Sequence, residues 1–202
     1  MASAALAREL LFTRLEPAAA VVALKTQLRS LREVIERLQA EDYRSAPSGV
    51  SGSIGAHVRH CLDHVDALLT GMDGFEMTYD SRARGTAAET DPLIAMIEID
   101  RLCVELDDLS EQTLTRPVAL RSVAQRGRVP VRVSSTLGRE VAFVIQHTIH
   151  HCAILAILLE LVGMDVSNGF GYAPSTPRAE VYDSIRTASE RSERATRTRA
   201  SV

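Results

Sequence analysis

Through most of the chain apolar residues recur at intervals of three and four, the spacing of amphipathic helix. From Ala18 to Ala40, Val21, Leu24, Leu28, Leu31, Ile35 and Leu38 line one face while Lys25, Arg29, Arg32, Glu33, Glu36 and Arg37 take the other, which predicts a long core-facing helix. A second helix is expected from about Ile54 to Leu69, with Ser51 or Ser53 as its N-cap after a turn-rich stretch and Gly71 near its end. Asp91-Pro92, a capping side chain followed by proline in the first turn, opens a third helix with Leu93, Ile97, Leu102, Val104, Leu106 and Leu109 as its apolar positions. A fourth runs from about Leu137 to Val162, with caps offered by Ser134-Ser135-Thr136 and a stop at Gly163.

The period changes between Pro117 and Ser134. Val118 and Leu120 alternate before a turn-like Gln125-Arg126-Gly127, and Val129, Val131 and Val133 alternate after it, which predicts a β-hairpin with Pro130 confining its strand to an edge. Two stretches have no period. Asp73 to Thr90 is long enough for a functional loop, and its Tyr79, Arg82 and Arg84 are candidates for binding an anionic or polar substrate. Asn168 to Pro177 is expected to pack on the helices as irregular backbone. Residues 1–16 read as a short leading helix or a mobile arm. The reading is one domain over residues 1–183, followed by an Arg/Ser/Thr-rich tail over 184–202 too poor in apolar residues to hold a fold.

Composition narrows the function. A chain of 202 residues with 46% hydrophobic and 24% charged residues suits a single helical domain. A net charge of −3, 4% aromatics and no Trp argue against a nucleic-acid surface, where clustered cations and stacking rings carry affinity. Cys61, Cys103 and Cys152 are odd in number without a close pair, so a disulfide framework is not expected and a reducing cytoplasm fits. No signal peptide is evident. The longest apolar run, Cys152 to Leu159, closes at Glu160, short of the ~20 residues of a membrane span.

All six histidines fall in two clusters inside helical patterns, His57, His60 and His64 in the second helix and His147, His150 and His151 in the fourth. Residues four apart share a helical face, so His147 and His151 can aim both imidazoles at one point, and His60 is the best third donor from the facing helix. Three nitrogen ligands leave coordination positions open, as catalysis requires, whereas a fourth from His64 or His57 would close the site as a structural one. His150 lies about 100° from the His151 direction and is expected beside the site. All-nitrogen ligation suits a divalent metal such as Zn, Ni, Fe or Cu.

The stretch Ser53-Ile-Gly-Ala-His-Val-Arg-His60-Cys-Leu-Asp-His64, followed much later by His147-Thr-Ile-His-His151, resembles the DinB-like superfamily of four-helix metal proteins. The resemblance spans about residues 18–165 and maps the family's ligands onto His60, His147 and His151. It implies an all-α, up-down-down-up four-helix bundle, here with a small β-hairpin inserted before the last helix, together with a divalent metal (Zn, Ni or Fe) and frequent homodimers. Some relatives are S-transferases or isomerases that use low-molecular-weight thiols. The expectation is therefore a cytoplasmic metal-dependent enzyme acting on a small-molecule substrate with such a thiol. The alternatives are a metal-assisted hydrolase and a non-catalytic metal-binding or stress-related protein.

Overall fold

The computed structural model describes residues 17–47, 49–72, 74, 76–81 and 85–176. The leading segment, the tail, and the substrate-binding candidates Arg82 and Arg84 lie outside them. The described chain is mostly helical with one small sheet. Its elements are α1 (Pro17–Glu36), α2 (Ala40–Arg44), α3 (Ile54–Thr70), β1 (Glu76–Met77), a 3₁₀ turn (Ala87–Glu89), α4 (Pro92–Glu105), a second 3₁₀ turn (Leu106–Asp108), α5 (Glu111–Leu114), β2 (Pro117–Ser122), β3 (Val131–Thr136) and α6 (Leu137–Leu161).

The helix ends follow capping chemistry. Ser53 accepts a hydrogen bond from the Ala56 N–H at 3.1 Å and starts α3, Asp91 accepts from the Leu93 and Ile94 N–H groups at the head of α4, and the Thr136 hydroxyl accepts from the Arg139 N–H at the head of α6. Ser134 and Ser135 are strand residues instead, so β3 runs into α6 without a linker.

α1 packs against α4 and α6, and α3 against the same two helices. The core between them includes Leu24, Leu28, Leu31 and Ile35 of α1, Val58, Leu62, Val65 and Leu68 of α3, and Val141, Val144, Leu155 and Leu158 of α6. Each such side chain contributes about 1.5–3 kcal/mol when fully buried. α6 is long and apolar enough, by length and composition, to cross a membrane. In this fold it packs as a core helix, with Glu140, Thr148 and His151 buried among its apolar residues.

The third helix departs from its predicted pattern. Leu93, Ile97 and Val104 are exposed, and the buried face is Ala95, Ile99, Leu102, Cys103 and Leu106. The helix has apolar residues on two faces, so periodicity alone selects neither; packing against α1 and α3 chose the second. The regular α-helix also ends at Glu105 rather than Leu109, passing into the 3₁₀ turn.

The predicted hairpin is present, with β2 and β3 antiparallel in a register that pairs Pro117 with Thr136 and Ser122 with Val131. β3 is an edge strand and begins at Val131, leaving Val129 and Pro130 in the turn. Sequence reading missed β1, two residues of the non-periodic stretch that pair parallel with β2 through Glu76–Ala119 and Met77–Leu120. A strand of two residues is too short to show a period.

The rest of that stretch is tied down. The Tyr43 hydroxyl donates to the Ala88 carbonyl at 2.6 Å, and Arg44 donates to the Thr90 carbonyl at 2.6 Å. After α6, Phe170 is buried and Gly171, at φ +77°, lies so close to α6 that a Cβ there would sit 2.6 Å from Ala153 backbone atoms. The irregular segment thus packs on the helices, and only glycine fits its closest approach.

Two outcomes follow. Gly55 faces the Ala87–Glu89 turn, where a Cβ would lie 2.1 Å from the Glu89 carbonyl oxygen and 2.6 Å from Tyr43 Cε1. Gly55→Ala should therefore destabilise the fold by about 1–3 kcal/mol in urea unfolding; parental stability would contradict the approach. The three cysteines are buried, and burial raises all three thiols, Cys152 to about 12. A raised pKa keeps the thiol protonated, so at pH 8 the folded protein should react slowly with a disulfide reagent and expose all its thiols only on denaturation.

Candidate metal centre

α3 and α6 lie side by side, and the seam between them carries both histidine clusters. His60 and His64 lie one turn apart on α3, as His147 and His151 do on α6, so each pair shares a face. His60 Nε2 faces His147 Nε2 at 3.0 Å. His64 completes a group with these two, each offering one nitrogen, in which all three atoms lie within 4.8 Å of one another.

His151 adjoins this trio, its ring centroid 4.4 Å from that of His60 and 4.6 Å from that of His147. Its Nδ1 is directed to His57 Nδ1 at 3.1 Å. The resemblance names His60, His147 and His151 as ligands; the compact group holds His64 in place of His151. His150, about 100° around the helix from His151, is exposed and meets it edge-on at 5.3 Å between centroids.

Backbone carbonyls set the tautomers. The His64 Nδ1–H donates to the His60 carbonyl at 2.9 Å, so in the neutral ring Nε2 carries the lone pair. The His57 Nε2–H donates to the Ser51 carbonyl at 3.0 Å, leaving Nδ1 as the lone pair that faces His151. An imidazole anchored through one nitrogen and presenting the other is the usual arrangement of a metal-ligating histidine.

The residues fit a divalent ion. Donors about 2.0–2.1 Å from one tetrahedral ion lie about 3.3 Å apart, so the His60–His147 pair is already near that spacing and His64 has a short distance to close. Neutral imidazoles are ligands for Zn, Ni, Cu or Fe rather than Mg or Ca. Three histidines close together can bind a metal, and their donor type restricts which one.

One wall of the cluster was only partly foreseen. Tyr79 stacks on His64 at 5.1 Å and 11°, and His64 stacks on His147 at 3.9 Å and 24°. Phe143 lies against both Tyr79 and His147, with the Arg139 guanidinium 5.5 Å from its ring centre. The Tyr79 hydroxyl donates to Glu140 Oε2 at 3.0 Å, while the Ser135 hydroxyl and Arg139 supply Oε1 at 2.5 and 2.9 Å. Burial, with the Glu140 charge beside it, raises the Tyr79 pKa, so this group stays a phenol and a donor.

Glu140 was missed by sequence reading although it left a signal. It is the fully buried charge at the start of α6, and the spacing 140, 144, 147, 151 puts it on the histidine face.

Beside the histidines a cleft of about 230 Å³ opens, lined by Ser51, Gly52, Ala56, His57, Arg59, His60 and His151. The sequence offered Tyr79, Arg82 and Arg84 of the loop over residues 73–90 as candidates for binding a substrate. Among the described residues Tyr79 of that loop reaches the histidines, stacking on His64, and the cleft is lined by the first turns of α3, the segment before it and His151. Glu89 at the end of the loop also bears on the cleft, since Arg59 donates to it at 2.8 Å and pairs with Asp63 as well. A larger hollow of about 950 Å³, between α6 and the Met164–Thr176 segment, contains none of the histidines.

Comparison with known proteins agrees with this fold. The crystal structure of a DinB-like protein from Bacillus subtilis superposes with a TM-score of 0.54 over 72% of this chain and 92% of that one, at 18% identity, which is a likeness of fold. A stretch of 102 residues, half of this chain, is 34% identical to part of FK506-binding protein 5 of Rhizopus delemar; the match spans only 26% of that protein. The sequence profile of the DinB superfamily matches residues 23–155, which includes α3, most of α6 and all six histidines, and the chain belongs to that superfamily.

Proposed function

We propose that this protein is a divalent-metal enzyme of the DinB superfamily, built as an up-down-down-up four-helix bundle, that joins a low-molecular-weight thiol to a small electrophile. The observation that carries the metal reading is the facing pair His60 Nε2 and His147 Nε2 at 3.0 Å, with His64 or His151 in place to supply a third nitrogen. When bound, a divalent ion supplies Lewis acidity that lowers the pKa of a thiol or water molecule. Three protein ligands would leave coordination positions for that molecule.

The chain's own residues fill the remaining roles. The cleft at His57, His60 and His151 admits a small molecule from solvent. The Tyr79–His64–His147 stack, held from below by Glu140, fixes the imidazoles before any ligand arrives, which reduces reorganisation when one binds. Arg59 is offset by Asp63 and Glu89, so it shapes the cleft more than it attracts anions. The cysteines are buried and supply no nucleophile, and the external thiol is what the resemblance to the superfamily implies. A cytoplasmic setting, where such thiols stay reduced, and a homodimeric assembly complete the proposal. Metal-assisted hydrolysis would use the same site with water in place of thiol.

Metal analysis of tag-free protein tests the reading. His60→Ala and His147→Ala should each lose most of the bound metal, and His150→Ala should keep it; equal loss in all three would refute the ligand set. His64→Ala against His151→Ala decides the third ligand, since the larger loss marks the residue on the ion. Because imidazole binds metal only as the neutral ring, whose ordinary pKa is ~6.5, acid should release the ion, and retention well below pH ~4 would contradict all-histidine ligation. Turnover of the metal-loaded protein with a panel of thiols and electrophiles separates transferase from hydrolase.

A further inference from the structure

β3 closes one edge of the sheet, paired with β2 alone, and its residues are exposed on both faces, with only Ser135 half-buried. An edge strand presents its outward N–H and C=O groups to any further strand that fits beside it. We infer that β3 docks an extended segment of a partner protein in which acidic and apolar residues alternate, added as a further strand of the sheet.

The two faces of β3 specify that alternation, because the pleat sends successive side chains to opposite sides. On one face Val131 and Val133, 46% and 49% exposed, lie opposite Ser122 and Leu120 of β2. On the other, Arg132 lies directly opposite Arg121, and the Glu76 carboxylate of β1 is 3.5 Å from each guanidinium. One carboxylate between two guanidiniums leaves a positive charge, and like charges set opposite one another disfavour the pairing until a further anion arrives. Arg126 and Arg128, both exposed, carry the charge into the turn. The positive charge is local: residues 112–139 hold six arginines and no acidic residue, in a chain whose net charge is −3.

These features choose among occupants. Two copies of β3 joined edge to edge would set their arginines on the same face of one sheet, which repulsion opposes. Nucleic acid offers phosphates to the guanidiniums but no strand for the open edge and no apolar row for the valines. An extended acidic and apolar segment meets all three, taking affinity from main-chain hydrogen bonds and specificity from alternate side chains. Pro130 has no N–H to donate and ends the ladder, so the docked segment is about as long as β3 (Val131–Thr136).

A labelled, end-blocked peptide of alternating valine and glutamate, as long as β3, tests this on the full chain by fluorescence anisotropy and amide hydrogen exchange. It should bind the parent, more weakly as salt is raised, and slow exchange at Val131–Thr136. Peptides with lysine in place of glutamate, or proline in place of valine, should bind at least about tenfold more weakly. Arg128→Glu combined with Arg132→Glu, checked for parental circular dichroism and metal content, should reverse the preference in favour of the lysine peptide. No binding of the glutamate peptide up to about 1 mM, equal binding of the proline peptide, or unchanged exchange at β3 overturns the strand addition. Tighter binding of duplex DNA, or protection of β3 that rises with the concentration of the chain alone, overturns it in favour of nucleic acid or a second copy. None of these outcomes bears on the histidine site.

Discussion

Burying imidazole between two apolar helices is unfavourable unless each ring nitrogen finds a partner, and this requirement organises the seam between α3 and α6. A valine or leucine at any of these positions would pack without such conditions. The chain instead places five histidines there and satisfies them through one another and through carbonyls: His60 with His147, His57 with His151 and Ser51, and His64 with the carbonyl a turn before it. Partners that are themselves imidazoles can be exchanged for a metal ion without leaving a buried group stranded. A core that must be polar in this way is suited to ligation.

The surrounding fold holds that seam in position. β3 enters α6 directly, so the sheet sets where the helix begins, and Ser135, the residue before its cap, bonds the same carboxylate that holds Tyr79. β1 pairs with β2 and brings Tyr79 to the opposite side of the sheet from β3, close enough to stack on His64. The sheet therefore connects two distant parts of the chain to one imidazole. On the other side, Tyr43 and Arg44 pin the Ala87–Thr90 segment, Glu89 holds Arg59, and the α3 N-terminal turn that lines the cleft is kept against the protein.

Glu140 bears a different load from the histidines. It is fully buried with three donors around it, from Tyr79, Ser135 and Arg139, which is the condition under which a buried carboxylate is tolerated. It lies about two turns before His147 and meets the cluster through Tyr79, which stacks on His64. Its role in this geometry is to position a ring.

What the sequence determined by itself is whatever a single helix decides. Ser53, Asp91 and Thr136 announce helix starts through hydrogen bonds to backbone two or three residues away, and the pairs His60/His64 and His147/His151 share a face because helical spacing is a local property. The motif halves were legible for the same reason. The tertiary structure decided the rest. Which face of α4 is buried depended on its neighbours, since Leu93 and Ile97 are as apolar as Ile99 and Leu102 yet point to solvent. Which imidazoles meet depended on how α3 and α6 are aligned along their axes. One turn of slip exchanges His64 for His60, or His60 for His57, opposite a given residue of α6, and no periodicity within either helix records that alignment. Tyr79 and Glu140 came together through a two-residue strand with no period of its own, because pairing across a sheet is a relation between segments and a single segment carries no trace of it.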